Sequence, residues 1–146
     1  MNTKKNSVSV LQVNFEDKKL INKIFEIRNQ VFVVEQNVDP SEEYEFEESS
    51  IHFLLFEEKT PCATARYRKT EKGIKLERFA VLKQHRKKGY GNKILERILE
   101  ELKDTEDVIY LHAQVQVVDF YKKQGFIKKG DIFSEAGIQH YKMIYN

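Results

Sequence analysis

Residues 76–103 read LERFAVLKQHRKKGYGNKILERILEELK, and the reading of this stretch decides the architecture. Residues 76–81 have the apolar and β-favouring character of a strand. Residues 92–103 carry Ile94, Leu95, Ile98, Leu99 and Leu102 at i, i+1, i+4, i+5 and i+8, one face of a 3.6-residue period and therefore a helix. Between them lies Arg86-Lys87-Lys88-Gly89-Tyr90-Gly91, basic and punctuated by glycine. A glycine-containing turn that feeds a helix N-terminus presents free backbone N–H groups and the positive end of the helix dipole. Such a turn suits an anion, and a phosphate above all.

The rest of the chain narrows what that phosphate belongs to. At 146 residues the length predicts a single domain, residues 1–146, with room for a real core. A formal net charge of +2 gives no broad field for nucleic acid, so anion recognition has to be local. One cysteine, Cys62, rules out an internal disulfide framework and fits a reducing compartment. No apolar run approaches the roughly 20 residues of a membrane span. The opening Met1-Asn2-Thr3-Lys4-Lys5-Asn6 leads into no apolar signal segment. The expected location is therefore the cytoplasm, with no membrane and no nucleic acid among the partners.

In chain order, residues 7–15 alternate as a first strand, and Asn14 or Asp17 is placed to cap the helix that follows. That helix sets Leu20, Ile24, Ile27 and Val31 on one stripe and ends near residues 33–36. Residues 37–41 are turn chemistry. Residues 42–48 are acidic with Tyr44 and Phe46 interleaved, a loop or short helix that is either a solvated charge run or a negative rim for a cationic substrate. Strands follow at residues 51–57 and 62–69, then a turn at Glu71-Lys72-Gly73. After the central strand, loop and helix come a strand at 108–113 and a helix at 115–124. Gly125 is suited to a C′ position of positive φ, and strands at 126–133 and 138–145 close the chain. The order predicts an α/β (α+β mixed) fold: a mixed, mostly antiparallel central sheet of about seven strands flanked by helices. The closing hairpin offers an edge through which a homodimer could form.

Two nucleotide readings of the loop fail. A Walker A loop needs G-x-x-x-x-G-K-[ST], and the nearest spacing, Gly125 to Gly130, is followed by Asp131. A dinucleotide fingerprint needs a third glycine, and Gly89-Tyr90-Gly91 is followed by Asn92-Lys93-Ile94. What remains is [RQ]-x-x-G-x-[GA], directly after a strand and opening a helix. Residues 81–95 resemble the acetyl-CoA-binding motif of the GCN5-related N-acetyltransferase (GNAT) superfamily. Asp119-Phe120-Tyr121-Lys122-Lys123-Gln124-Gly125-Phe126 resembles the superfamily's FYxxxGF segment. Seven residues before the tyrosine stands Gln114, where the superfamily often has Asn. Arg28-Asn29-Gln30-Val31-Phe32-Val33-Val34-Glu35-Gln36, Glu43-Tyr44-Glu45-Phe46-Glu47, His52, Leu111-His112-Ala113-Gln114 and Gly137-Ile138-Gln139-His140-Tyr141-Lys142-Met143 narrow the resemblance to the ElaA/YjcF-type branch. That branch often has Asp at the positions of Glu45 and Glu47.

The resemblance implies a GNAT acyl-CoA N-acyltransferase fold, with splayed central strands that bind coenzyme A. It implies transfer of an acetyl group from acetyl-CoA to a primary amine by direct attack in a ternary complex. It assigns the pyrophosphate to Arg86, Lys87, Lys88, Gly89, Tyr90 and Gly91, and an oxyanion donor to the backbone of Phe79, Ala80 and Val81. Gln114 stands on the pantetheine side. Tyr121 matches the general acid. A phenol near pKa ~10 stays protonated at neutral pH and can protonate a thiolate whose acid lies near ~8.5; otherwise it is a core aromatic. Glu77 is the implied base, or the partner of Arg66, Arg68 or Arg78 in a salt bridge. If strand alternation holds, Glu77 shares a face with Phe79 and Val81. His112 is the other base candidate, since imidazole titrates near neutral pH, or a hydrogen-bonded structural residue, as His52 and His140 are expected to be. Arg28 and Glu35 either line the acceptor cleft or pair along the first helix. No metal-ligand spacing is present, so no metal is expected. Two alternatives stand beside the transferase: an acyl-homoserine-lactone-synthase-like acyltransferase and a non-catalytic CoA-binding sensor. The first is disfavoured by the short chain and the lack of tryptophan.

Overall fold

A computed structural model describes residues 7–146; the opening hexapeptide, read above as leading into no signal segment, lies outside the described residues. Eight strands form one sheet in the order β1-β2-β3-β4-β5-β8-β6, with β7 paired to β8. They are β1 (Val8–Val13), β2 (Ile51–Glu57), β3 (Thr60–Thr70), β4 (Gly73–Val81), β5 (Ile109–Gln114), β6 (Phe126–Lys128), β7 (Phe133–Glu135) and β8 (Ile138–Tyr145). All pairings are antiparallel except β4 with β5. The expected closing strand at 126–133 is split in two. Gly130 adopts a positive φ of 85° between the pieces, a conformation that ends a ladder.

The parallel β4–β5 ladder is short: Ile74↔Ile109, Lys75↔Tyr110 and Leu76↔Leu111. Gly73 lets it start, because a Cβ there would lie 2.2 Å from the Val108 carbonyl oxygen. Past Leu76 and Leu111 the strands part and leave a fork. Glu77 is the first residue beyond the ladder on one prong and His112 the first on the other.

Helices cover both faces. α1 (Lys18–Arg28) is capped by the Asp17 side chain, which accepts from the Leu20 N–H. It buries Ile21, Ile24 and Ile27 against Leu54 and Ala80. α3 (Tyr90–Glu101) buries Ile94, Leu95 and Ile98 on the opposite face, with Phe53, Leu55, Ala63, Ala65, Leu76 and Leu111. α4 (Val118–Lys123) adds Val118 and Tyr121 to that same core. Two departures from the sequence pattern shape the site. The first helix does not run on as α: from Asn29–Glu35 it is π-helical, which turns Val31, Phe32 and Glu35 to the cleft. The acidic stretch opens with a short α2 (Pro40–Glu43), capped by Asp39.

Candidate active site

Strand β4 does not keep its alternation. In the register with β3, Arg66 faces Glu77 and Thr64 faces Ala80, so Arg78 and Phe79 together oppose Ala65. Arg78 sits at φ 57°, the left-handed residue of a β-bulge. The bulge flips the parity of everything after it. Glu77 therefore shares a face with Ala80, on the α1 side, and not with Phe79 and Val81 as strict alternation predicts. Phe79 and Val81 pack on the α3–α4 side instead. Arg78 is held in this conformation by bonds from Nε to the Glu43 carbonyl (3.2 Å) and from Nη2 to the Glu42 carbonyl (3.3 Å).

The fork opens into a cleft of about 940 Å³. On one side the Leu82 N–H donates to the Cys62 carbonyl of β3. Because N–H groups alternate along a strand, those of Val81 and Phe79 point the other way, into the gap that β5 leaves. There they are available to an oxygen bearing negative charge. The basic loop adjoins this edge. Lys87 and Gly89 both adopt positive φ, 66° and 79°, a backbone that gathers N–H groups into an anion-binding concavity. The first residues of α3 extend it with their unpaired amides. Arg86 braces the loop, from Nε to the Val81 carbonyl (2.8 Å) and from Nη2 to Glu35 Oε1 (2.8 Å). Lys88 Nζ lies 3.3 Å from Glu57 Oε2.

Tyr121 lines the cleft from α4 and is buried. Its ring stands edge-on to those of Phe79, Phe120 and Phe126. Burial raises its phenol further above the ordinary value, so it keeps its proton. The flanking Phe120 is only partly buried and also lines the cleft. Gln114 lies across the cleft in a reciprocal amide pair with Gln36: its Nε2 donates to Gln36 Oε1 at 3.0 Å. Gln36, at the end of the π-helical turn, was not legible as a site residue, because nothing local marks a side chain that reaches a strand 78 positions away.

The α1 side of the cleft is built on charge. Arg28 and Arg66 are each 1% exposed. Arg28 Nε meets Glu43 Oε1 at 2.9 Å and its Nη1 meets Glu47 Oε1 at 2.8 Å. Arg66 Nη1 shares Glu47 (2.6 Å), and its Nε meets Glu77 Oε2 at 2.9 Å. Arg28 thus lies beneath the cleft wall, where the sequence allowed it to line the cleft. Glu35, Glu77 and His112 do line it. The acidic stretch is neither a solvated run nor simply a rim: Glu43 and Glu47 are counter-ions of buried arginines. Glu77 is enclosed by Arg66, Arg68 and Lys75, the last two at 3.1 Å. Burial pushes its carboxyl up, but the three cations outweigh that and hold it down to about 2. His52 is buried, and its Nε2 lies 2.9 Å from the Glu47 carbonyl, a structural tie as expected. Glu57, Cys62 and His85 bring three ligand-type atoms within 4.8 Å of one another, and Lys88 shares the Glu57 carboxylate.

A family model for the acetyltransferase (GNAT) domain matches residues 12–146. The chain belongs to the GNAT acetyltransferases. This GNAT chain is 38% identical over 123 residues to the uncharacterized N-acetyltransferase YjcF of Bacillus subtilis, covering 82% of the chain and 88% of YjcF. Its fold is that of an acyl-CoA N-acyltransferase from Pseudomonas aeruginosa, with a TM-score of 0.85 at 23% identity over 96% of this chain and 100% of the other. Escherichia coli ElaA superposes with a TM-score of 0.79 at 22% identity, again over 96% and 100%. The GNAT enzyme is thus an acyltransferase of the N-acetyltransferase type. Among the described residues no helix is long and apolar enough to cross a membrane.

Proposed function

We propose that this acyltransferase moves an acetyl group from acetyl-CoA to a primary amine by direct attack in a ternary complex, as a single-domain cytoplasmic enzyme. The observation that carries the reading is the fork itself. One continuous cleft holds an anion-binding loop, an open strand edge with N–H groups for an oxyanion, and a protonated phenol. The loop from Arg86 to Gly91 takes the pyrophosphate of the cofactor. The pantetheine arm runs along the edge of Phe79, Ala80 and Val81, with Gln114 opposite. The amine enters from the α1 side, between α2 and the β7–β8 hairpin, where Glu45, Glu77, His112 and Glu135 line the wall.

Tyr121 acts as general acid toward the departing thiolate. Glu77 does not suit the role of base: a carboxylate with a pKa of about 2 is too weak an acceptor for an amine proton. Its place at the fork gives it a structural role, as the shared counter-ion of Arg66, Arg68 and Lys75. The test is release of free thiol from acetyl-CoA with a panel of primary amines, alongside calorimetric binding of acetyl-CoA. Thiol release with at least one amine is expected. Tight acetyl-CoA binding with no release in any amine would replace the transferase reading with that of a sensor.

A further inference from the structure

Three groups that the chain brings together from separate elements stand on the amine side of the fork. His112 is the first residue of β5 past the ladder, Glu135 ends β7, and His140 lies in β8. His112 Nδ1 is 3.1 Å from Glu135 Oε1. The second carboxylate oxygen, Oε2, is 3.8 Å from His140 Nε2. His140 Nδ1 is 2.7 Å from the Ile138 carbonyl, which can only accept, so that nitrogen carries a proton. The Phe133 ring stands edge-on to His112 at 4.9 Å and stacks on His140 at 5.9 Å, which fixes both imidazoles. All three groups line the cleft.

We infer that His112, oriented by Glu135, is the base that takes the amine proton. This rests on the transferase reading above and supplies the step that Glu77 cannot. A carboxylate that accepts from Nδ1–H selects the tautomer in which Nε2 holds the lone pair. Among the described residues no hydrogen bond engages His112 Nε2, and the side chain is 24% exposed toward the cleft. The hydrogen bond from His112 also draws the Glu135 carboxyl below its usual range, against burial, so it stays an acceptor at working pH. The arrangement repeats the logic by which a carboxylate sets a histidine base, without a serine.

The step balances as follows. The amine nitrogen forms a bond to the thioester carbon, and the carbonyl π pair moves to oxygen, toward the N–H groups of Phe79 and Val81. As nitrogen gains positive charge, its proton passes to His112 Nε2, and the Glu135 carboxylate offsets the imidazolium that results. The carbonyl re-forms, the C–S bond breaks, and the thiolate takes the Tyr121 proton. Amide and free thiol leave. The proton on His112 and the vacancy on Tyr121 are then reset through solvent.

The charged and titratable groups around His112 are Lys75 on β4, Tyr110 on β5, Glu135 on β7, and His140 and Lys142 on β8. The test therefore reads the ring directly as well as the rate. Long-range ¹H–¹⁵N spectra of the wild-type protein at pH 8 should show His112 as the Nδ1–H tautomer, and Glu135→Gln should move it toward Nε2–H. With whichever amine of the panel turns over, His112→Gln should lower kcat by about 10²–10⁴-fold and remove the ascending limb of the pH profile. Acetyl-CoA affinity should be unchanged. Glu135→Gln should lower kcat less and shift that limb. A wild-type Nε2–H tautomer, or His112→Gln turning over within threefold of wild type, overturns the proposal. Failure of wild-type turnover on every amine sinks the transferase reading instead, and the tautomer then still decides whether the relay is assembled.

Discussion

At Glu77 a carboxylate is enclosed by Arg66, Arg68 and Lys75, and the pH dependence of stability follows. Its folded pKa of about 2 lies below the reference 4.5, so the unfolded chain binds this proton first. The stabilisation is fully present above about pH 4.5 and is lost as pH falls toward about 2. Its full size is about 3 kcal/mol. Urea denaturation between pH 6 and pH 2.5 should show this loss. Glu77→Gln should flatten the curve, and an unchanged slope in that variant would place the proton elsewhere. Tyr121 is set by the opposite physics, burial with no hydrogen-bond or charged partner among the described residues. Tyr121→Phe keeps the ring contacts with Phe79 and Phe126 and removes only the hydroxyl. It should lower turnover about 10²–10⁴-fold with acetyl-CoA affinity intact, as steady-state kinetics beside calorimetry would show. The position of Tyr121 in the cleft was legible from its motif. The state of Glu77 was not: the sequence allowed base or ion pair equally, and three cations from β3 and β4 decide between them.

Among the elements, the loop from β4 to α3 was the most readable. Its glycines and basic residues are local chemistry, and the helix that follows begins two residues before the periodicity places it. Gly89 has φ 79°, and a Cβ there would meet no protein atom within 4 Å. Gly89→Val should abolish the thermal shift given by acetyl-CoA, because a branched side chain both strains the left-handed backbone at this position and fills the approach to the loop amides. A retained shift would move the phosphate off this loop. The β4 bulge and the π-helical turn were unreadable. Each is a register change of one residue with no signature in composition. The bulge exists because Arg78 finds carbonyl acceptors on Glu42 and Glu43, residues more than thirty positions away.

At the scale of the whole molecule, the buried arginines join α1, the α2 segment, β3 and β4 into one wall beside the cleft. Arg28→Met would leave Glu43 and Glu47 without a partner that both now share. The loss should be about 3–5 kcal/mol by chemical denaturation, and Glu43→Leu added to it should recover much of that. Wild-type stability in the single variant would mean the network is not holding α2. The sequence by itself determined most of the order of elements, the basic, glycine-punctuated turn that opens α3 and the family resemblance, because those rest on short-range periodicity and on residues that act within one turn. It could not determine which charges meet. Opposite charges are plentiful along this chain, and Coulomb attraction has no spacing rule that survives folding. Only the tertiary structure decided that Glu77 is locked by cations while Glu135, which falls between the two closing strands expected from the sequence, faces His112. Strand order puts β8 between β5 and β7, and that adjacency sets the histidine beside its carboxylate.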